Sequence, residues 1–259
     1  MACITLLSDF GLQDASAAIA KGILMQHVPQ LPILDISHEV MPFSVSQAAY
    51  LLAAAYKNFP SDTCHILLFD IFSEKTPRLL LTELNNHYFL SPDNGIVPLA
   101  LGNNNNSWQY FEMKGDNTYF DWLEAAGQAV NELQAKKPAA LGLSAYPLKS
   151  LVRNTPRLSS QSIVECEVIH IDNYGNVVLN ITKNQFEALG NNHPFRIQFK
   201  HVEDIDTISS SYADAREGYK LARFNNNGYL EICINRGNAA SLFGLRLGGK
   251  HNDIKIFFE

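Results

Sequence analysis

Apolar residues along the chain fall into short blocks separated by polar turns, and the period of those blocks changes once. Residues 4–7 are a compact apolar run closed by Ser8 and Asp9, the pattern of a strand buried on both faces. Residues 15–28 are rich in Ala, Ile, Leu and Met and stop at Pro29 and Pro32, which predicts a helix. A second buried strand is predicted over 33–36, and a helix over 44–56 with Ser44 as its N-cap. Strands follow over 64–72, 79–84 and 88–91, then a helix over 120–133. Strands alternating with helices at this spacing imply a mostly parallel sheet with helices on its faces.

The pattern then shifts. Residues 138–162 are rich in Pro, Ser and Leu without periodicity and read as a linker. Beyond them come short strands over 162–171, 177–180, 195–199, 218–224, 229–234 and 254–258, with a helical turn within 239–245. That density implies a small barrel or sandwich. The expected organisation is an N-terminal α/β domain over 1–154 and a C-terminal all-β, barrel-like domain over 155–259. Residues 103–106, four asparagines, read as a surface loop.

A chain of 259 residues is long enough for two such domains, and it carries a net charge of -6. Its longest basic run is Lys136-Lys137, which excludes a nucleic-acid surface. Cys3, Cys64, Cys166 and Cys233 are widely spaced within apolar stretches and read as buried free thiols. The first residues carry neither a positive stretch nor a long apolar run, so a cytoplasmic protein without a membrane segment is expected.

Five clusters carry candidate chemistry. In Ser8-Asp9-Phe10-Gly11, with Asp14 and Ser16 after it, Asp9 sits at the carboxyl end of the first strand. Open α/β sheets bind ligands there, and a carboxylate can accept both hydroxyls of a ribose. Strand termination by Asp9 and helix capping by Asp14 would explain the same residues. In Asp35-Ile36-Ser37-His38 the His is a base, a ligand or, more commonly, a tie between loops. Ser91-Pro92-Asp93-Asn94-Gly95 reads as a structural turn.

In the run from Asp172 to Ile181, Asp172, Tyr174 and Asn176 surround a tight turn. They offer a carboxylate, an aromatic face and an amide able to read a purine edge. The last cluster spans Asn225 to Ala240. Its Asn227-Gly228 is a hairpin turn, whereas Gly237-Asn238-Ala239-Ala240 would let backbone amides approach a flat ligand. Tyr212 is a stacking face or a core tyrosine.

Taken together, these segments and Lys21-Gly22 resemble the S-adenosylmethionine (SAM) hydroxide adenosyltransferases, relatives of the fluorinase and chlorinase enzymes. The matching stretches run in the family's order from near residue 4 to near residue 247. The resemblance implies an N-terminal α/β domain joined to a C-terminal β barrel. It further implies a homotrimer with the nucleoside bound between one subunit's N-domain and the next subunit's C-domain. Asp9 would hold the ribose hydroxyls, while Asp14, Ser16 and Asp172 would hold the methionine amine and carboxylate. Phe43 and Tyr212 would border the ligand. Asn176 and the backbone from Arg236 through Asn238 to Ala239 would read the adenine, and Asn226 stands where the family commonly has a serine contacting the amino-acid part. The implied reaction is attack of water at the ribose C5′, releasing methionine and leaving adenosine, with no metal or other cofactor.

The chain departs from the family in two places. The family orients the attacking water with an Asp and an Arg on a glycine-rich turn, together with a His. Here Asp70 and Arg78 stand as the catalytic pair, but the turn lacks its glycines and is one residue longer. Residues 117–122, Asn-Thr-Tyr-Phe-Asp-Trp, hold no His, and Tyr119 is the candidate substitute for it. The alternative function is therefore a catalytically weak or inactive protein that binds SAM or adenosine.

Overall fold

The structure is a computed structural model, and it describes residues 1–72, 75–102, 107–111, 113, 115–148, 155–160, 162–191, 193–200, 203–248 and 252–259. The chain divides into two compact units, Met1–Val152 and Arg153–Glu259.

Unit 1 contains β1 (Ile4–Ser8), α1 (Ser16–His27), β2 (Ile33–Ser37), α2 (Val45–Ala55), β3 (Cys64–Leu68), β4 (Leu79–Leu84), β5 (His87–Ser91), α3 (Ile96–Leu101), β6 (Gln109–Phe111), α4 (Tyr119–Ala135) and β7 (Ser144–Ala145). The seven strands among its described residues form one sheet in the order β2-β1-β3-β5-β4-β6-β7. Strands β2, β1, β3 and β5 are parallel, and β4, β6 and β7 extend the sheet antiparallel. Alternation along the strands builds two cores. Ile4, Leu6, Ile66, Leu68 and Leu90 pack with Leu24 of α1 and Trp122 of α4. Leu7, Leu67 and Phe89 face the other way, against Leu52 of α2 and Ile96 of α3. Helices cover both faces, which is why β1 and β3 are apolar at consecutive positions rather than alternate ones.

The predicted strand over 64–72 ends at Leu68. Phe69 and Ile71 are buried without being in a strand, and Asp70 between them turns into the left-handed region at φ 48°. The apolar run reports burial there, and the sharp turn that breaks the strand leaves no periodic trace. The asparagines at 103–106 lie outside the described residues.

One polar cluster sits near the opposite end of the same strands. Thr5 Oγ1 lies 2.6 Å from His65 Nδ1, and His65 Nε2 lies 3.1 Å from His87 Nδ1, under the rings of Tyr56, Phe59 and Phe89. Burial, reinforced by His87, pulls the His65 pKa from its ordinary 6.5 to about 3. Between those two values the unfolded chain takes up a proton that the folded chain refuses, so stability falls as the pH drops through that window. Urea unfolding should lose about 1.4 kcal/mol per pH unit from this residue below its unfolded pKa. The slope should flatten in His65→Gln.

Unit 2 contains β8 (Arg157–Ser160), β9 (Ile163–Cys166), β10 (Val168–Ile171), β11 (Val177–Thr182), α5 (Lys183–Gly190), β12 (Phe195–Phe199), β13 (Glu203–Ile205), β14 (Lys220–Phe224), β15 (Tyr229–Ile234), α6 (Ala239–Phe243) and β16 (Ile254–Phe258). Of the expected small barrel or sandwich, the described residues show two antiparallel sheets, β10-β11-β15-β14 and β13-β12-β16-β9-β8. They share one core that includes Val164, Leu179, Ile197, Ile232 and Ile256. The single strand predicted over 162–171 breaks at Glu167. Its first half joins one sheet and its second half the other. Asn180 holds the break, accepting from the Glu167 N–H at 2.8 Å and donating its own N–H to the Glu167 carbonyl at 3.0 Å. Sandwich corners are made by strands that change sheet in this way.

All four cysteines are buried and free. No helix among the described residues is long and apolar enough to cross a membrane.

Candidate functional site

In unit 1 the carboxyl ends of β1, β3 and β5 lie side by side, and each is followed by an acidic residue: Asp9, Asp70 and Asp93. The connection from β1 leads to β2 on one side, and the chain then returns to β3 on the other. The loops leaving β1 and β3 therefore diverge, and a crevice opens at such a switch point.

Asp9 is anchored through one oxygen. Its Oδ2 accepts the Phe43 N–H at 3.3 Å, and its Oδ1 has no donor among the described residues. Phe43 takes φ 64° to make that bond and leaves its ring 78% exposed. A phenylalanine both exposed and in the left-handed region is uncommon, and backbone strain of this kind collects at ligand sites.

Beneath Asp9 lies a buried polar support. Ser8 Oγ is 2.6 Å from His38 Nδ1, and the His38 carbonyl accepts the Gly11 N–H at 2.7 Å. His38 Nε2 is 3.0 Å from Asp35 Oδ1, out of line for a hydrogen bond, and Lys21 holds the other Asp35 oxygen at 2.6 Å. His38 is thus a tie between loops. Asp14 accepts the Ser16 N–H at 2.8 Å at the start of α1, which holds its carboxyl below the ordinary range.

Asp70 is half-buried, and its carboxyl is pushed up, first by burial and then by the charge of Asp9. Asp70 and Arg78 make no ion pair with each other. Arg78 Nη1 instead donates to Tyr146 Oη at 2.7 Å, and Tyr146 donates to Asp93 Oδ2 at 2.9 Å. Ser73 and Glu74, in the stretch between Asp70 and Arg78, lie outside the described residues. Tyr119 is committed elsewhere: its hydroxyl donates to the Ser16 carbonyl at 3.0 Å while its ring meets Phe10 edge-on.

In unit 2 a cavity of about 750 Å³ is lined by Asp172, Tyr174, Asn176, Tyr212, Ile234, Arg236 and Asn238, among others. The turn joining β10 to β11 forms one wall. Asp172 Oδ1 accepts the N–H groups of Tyr174 and Asn176 at 2.9 and 2.8 Å, and Oδ2 accepts Asn176 Nδ2 at 2.9 Å. That last bond fixes the amide, because a carboxylate only accepts. The second Nδ2 proton reaches the Tyr212 hydroxyl at 3.3 Å, which donates in turn to buried Glu231 at 2.9 Å. The buried Asn176 therefore keeps Oδ1 as an acceptor with no protein donor among the described residues. Tyr174 is 75% exposed at the same wall, an apolar ring held open to solvent.

The opposite wall is locked to the first. Asn238 caps α6 by accepting the Ser241 N–H at 2.7 Å, and the Ala240 N–H donates to the Gly175 carbonyl at 2.9 Å. Gly175 has φ 82°, and a Cβ there would run into the Asn238 side chain. Two candidates stand apart from this cavity. Ala239 is fully buried in the core beneath it. Asn226 is exposed in the turn at the other end of β15, roughly 20 Å away along the strand. Glu231 and Arg223, which hold Tyr212 from behind, were not legible as site residues, since each is one polar position in an otherwise ordinary strand.

A sequence profile of the SAM hydroxide adenosyltransferase N-terminal domain matches residues 4–139, and that of the C-terminal domain matches residues 166–251. The chain belongs to this family. A protein from Methanocaldococcus jannaschii named (R)-S-adenosyl-L-methionine hydrolase is 26% identical over 256 residues, covering 93% of this chain and 92% of the relative. One of the same name from Salinispora arenicola is 27% identical over 262 residues, covering 95% of each. Among solved structures, a conserved protein from Thermotoga maritima aligns with a TM-score of 0.81 at 23% identity, covering 99% of this chain and all of that one; it shows the fold. In SAM hydroxide adenosyltransferase terms, the two units carry the family's two domains, and the acidic loops and the lined cavity fall one in each.

Proposed function

We propose that this chain hydrolyses SAM to adenosine and methionine by attack of water at C5′, and that it works as a homotrimer in which unit 1 of one subunit and unit 2 of the next share the nucleoside. The observation that carries the reading is the unit 2 cavity. It presents an aromatic face at Tyr174 and a single fixed acceptor at Asn176 Oδ1, which suits the exocyclic amine of adenine. Asp9, with Oδ1 open, accepts the ribose hydroxyls. Asp14, Ser16 and Asp172 take the amino-acid end, and Phe43, Tyr212 and the 236–238 backbone close around the rest.

The chemistry asks little of the protein beyond placement. A sulfonium is already a good leaving group, so the site must align oxygen, carbon and sulfur and keep competing water away. As the new C–O bond forms, the C–S pair returns to sulfur as neutral thioether. The attacking water then gives up a proton to Asp70, whose carboxyl is raised by burial and by Asp9. The carboxylates on this edge also attract the cationic sulfonium.

The test is to incubate the purified protein with SAM and follow adenosine by chromatography, with chloride present and absent. Equal adenosine in both supports the hydrolase. Unchanged SAM alongside measurable adenosine binding would leave a binding protein. Asp9→Ala should weaken adenosine about 10- to 100-fold by calorimetry, the loss of a charge-assisted hydrogen bond.

A further inference from the structure

An arginine that acts on a reacting water must be ordered beforehand, because its long side chain otherwise loses rotamer freedom in the transition state. Arg78 is exposed, and no carboxylate pairs with it among the described residues. What holds it is Tyr146. Nη1 donates to the hydroxyl at 2.7 Å, and the guanidinium lies over the ring at 5.1 Å from its centre. The hydroxyl donates onward to Asp93 Oδ2 at 2.9 Å, so it accepts on one side and donates on the other and its direction is fixed.

The frame continues into the main chain. The Tyr146 N–H donates to the Trp108 carbonyl at 2.7 Å, and its ring meets Tyr110 edge-on. Asn94, next to Asp93, donates Nδ2 to the Phe69 carbonyl at 2.7 Å, one residue before Asp70. Arg78 and Asp70 never touch, yet both are fastened to one loop, residues 91–95.

We propose that Tyr146, backed by Asp93, is the positioning residue that fixes the Arg78 guanidinium for the displacement, the part that a direct Asp70–Arg78 pair does not play in this chain. The inference rests on the hydrolase reading. Tyr146→Phe keeps the ring under the guanidinium and removes only the hydroxyl. Its kcat should fall about tenfold, with KM and adenosine affinity within twofold of wild type, as for a group realised in the transition state. Arg78→Ala should fall further. The double variant should be no slower than Arg78→Ala alone, because Tyr146 acts through Arg78 and the two effects cannot add. Asp93→Ala should lower kcat in the same direction, again without further effect once Arg78 is gone.

A merely structural Tyr146 would lower the melting temperature and adenosine binding together, and would multiply with Arg78→Ala; that result overturns the proposal. So does a Tyr146→Phe kcat within twofold of wild type. Wild-type protein that releases no adenosine from SAM sinks the hydrolase reading as a whole, whereas wild-type turnover with an unaffected Tyr146→Phe sinks only this assignment.

Discussion

Asp70→Asn is expected to lower kcat by about 10²- to 10⁴-fold, the usual range for loss of a general base, while leaving adenosine affinity nearly unchanged. The substitution isolates the chemistry. Asp70 stands at φ 48°, a conformation asparagine tolerates, so the backbone need not move, whereas alanine would add strain. The native carboxyl is raised by burial and by Asp9, so its charge opposes folding. A raised acid contributes stability below its unfolded pKa and loses that contribution as the pH climbs through the folded value. The asparagine variant should therefore melt at or slightly above the wild-type temperature at pH 7. In the pH profile of wild-type kcat/KM, the acid limb should lie above the ordinary carboxylate range, and it should vanish in the variant. A variant that retains wild-type kcat would remove Asp70 from the mechanism.

Gly175→Ala should cost both stability and ligand. At φ 82° an alanine meets the left-handed penalty of about 1–2 kcal/mol, and its Cβ would also collide with the Asn238 side chain. Asn238 cannot step aside freely, since it caps α6 through Ser241. Displacing it loosens the cap, worth about 1 kcal/mol, and moves the wall facing Asn176. A total near 2–4 kcal/mol would lower the melting temperature by roughly 5–15 °C for a chain of this size. Gly218→Ala is the matched control. It has φ 80°, but an added Cβ would meet nothing within 4 Å, so it should show the backbone penalty alone with adenosine affinity intact. Equal losses for the two variants would mean that the Gly175–Asn238 contact does not shape the cavity.

Much of this was legible because burial writes a period into the sequence. The apolar run before Ser8, the helix stopped by Pro29 and the alternating blocks of unit 2 all mark real elements. The failures have separate causes. Helix α3 is six residues between Gly95 and Gly102 and contains Pro98, too short for a helical period to show. Helix α5 did carry a signal, the capping box in which Thr182 and Gln185 bond each other's backbone, but its apolar content is too low for a periodic stripe. The break at Glu167 is invisible because both halves of the run are apolar and only their sheet partners differ.

The site divides in the same manner. Asp172, Tyr174, Asn176, Tyr212, Arg236 and Asn238 line one cavity because two turns, at 172–176 and 235–238, dock against each other. Local turn chemistry marks each turn but not their meeting. Tyr146 carries no local signal: it lies in an irregular Pro- and Leu-containing stretch, and its importance comes only from reaching Arg78 and Asp93, which stand 68 and 53 positions away. Asp93 reads as part of a structural turn, but there Asn94 bonds the local backbone while the Asp93 carboxylate accepts from Tyr146.

The proposed hydrolysis requires that the acidic loop after β1 and the Asn176 turn, from whichever subunits, grip one nucleoside. A crystal structure of the protein grown with adenosine decides whether they do. The expected result is both ribose hydroxyls within about 3 Å of an Asp9 carboxylate and the adenine amine at a similar distance from an Asn176 Oδ1, whichever subunits supply them. An adenosine bound at one of these residues, with no copy of the other in contact with it, would contradict that shared grip and the mechanism built on it.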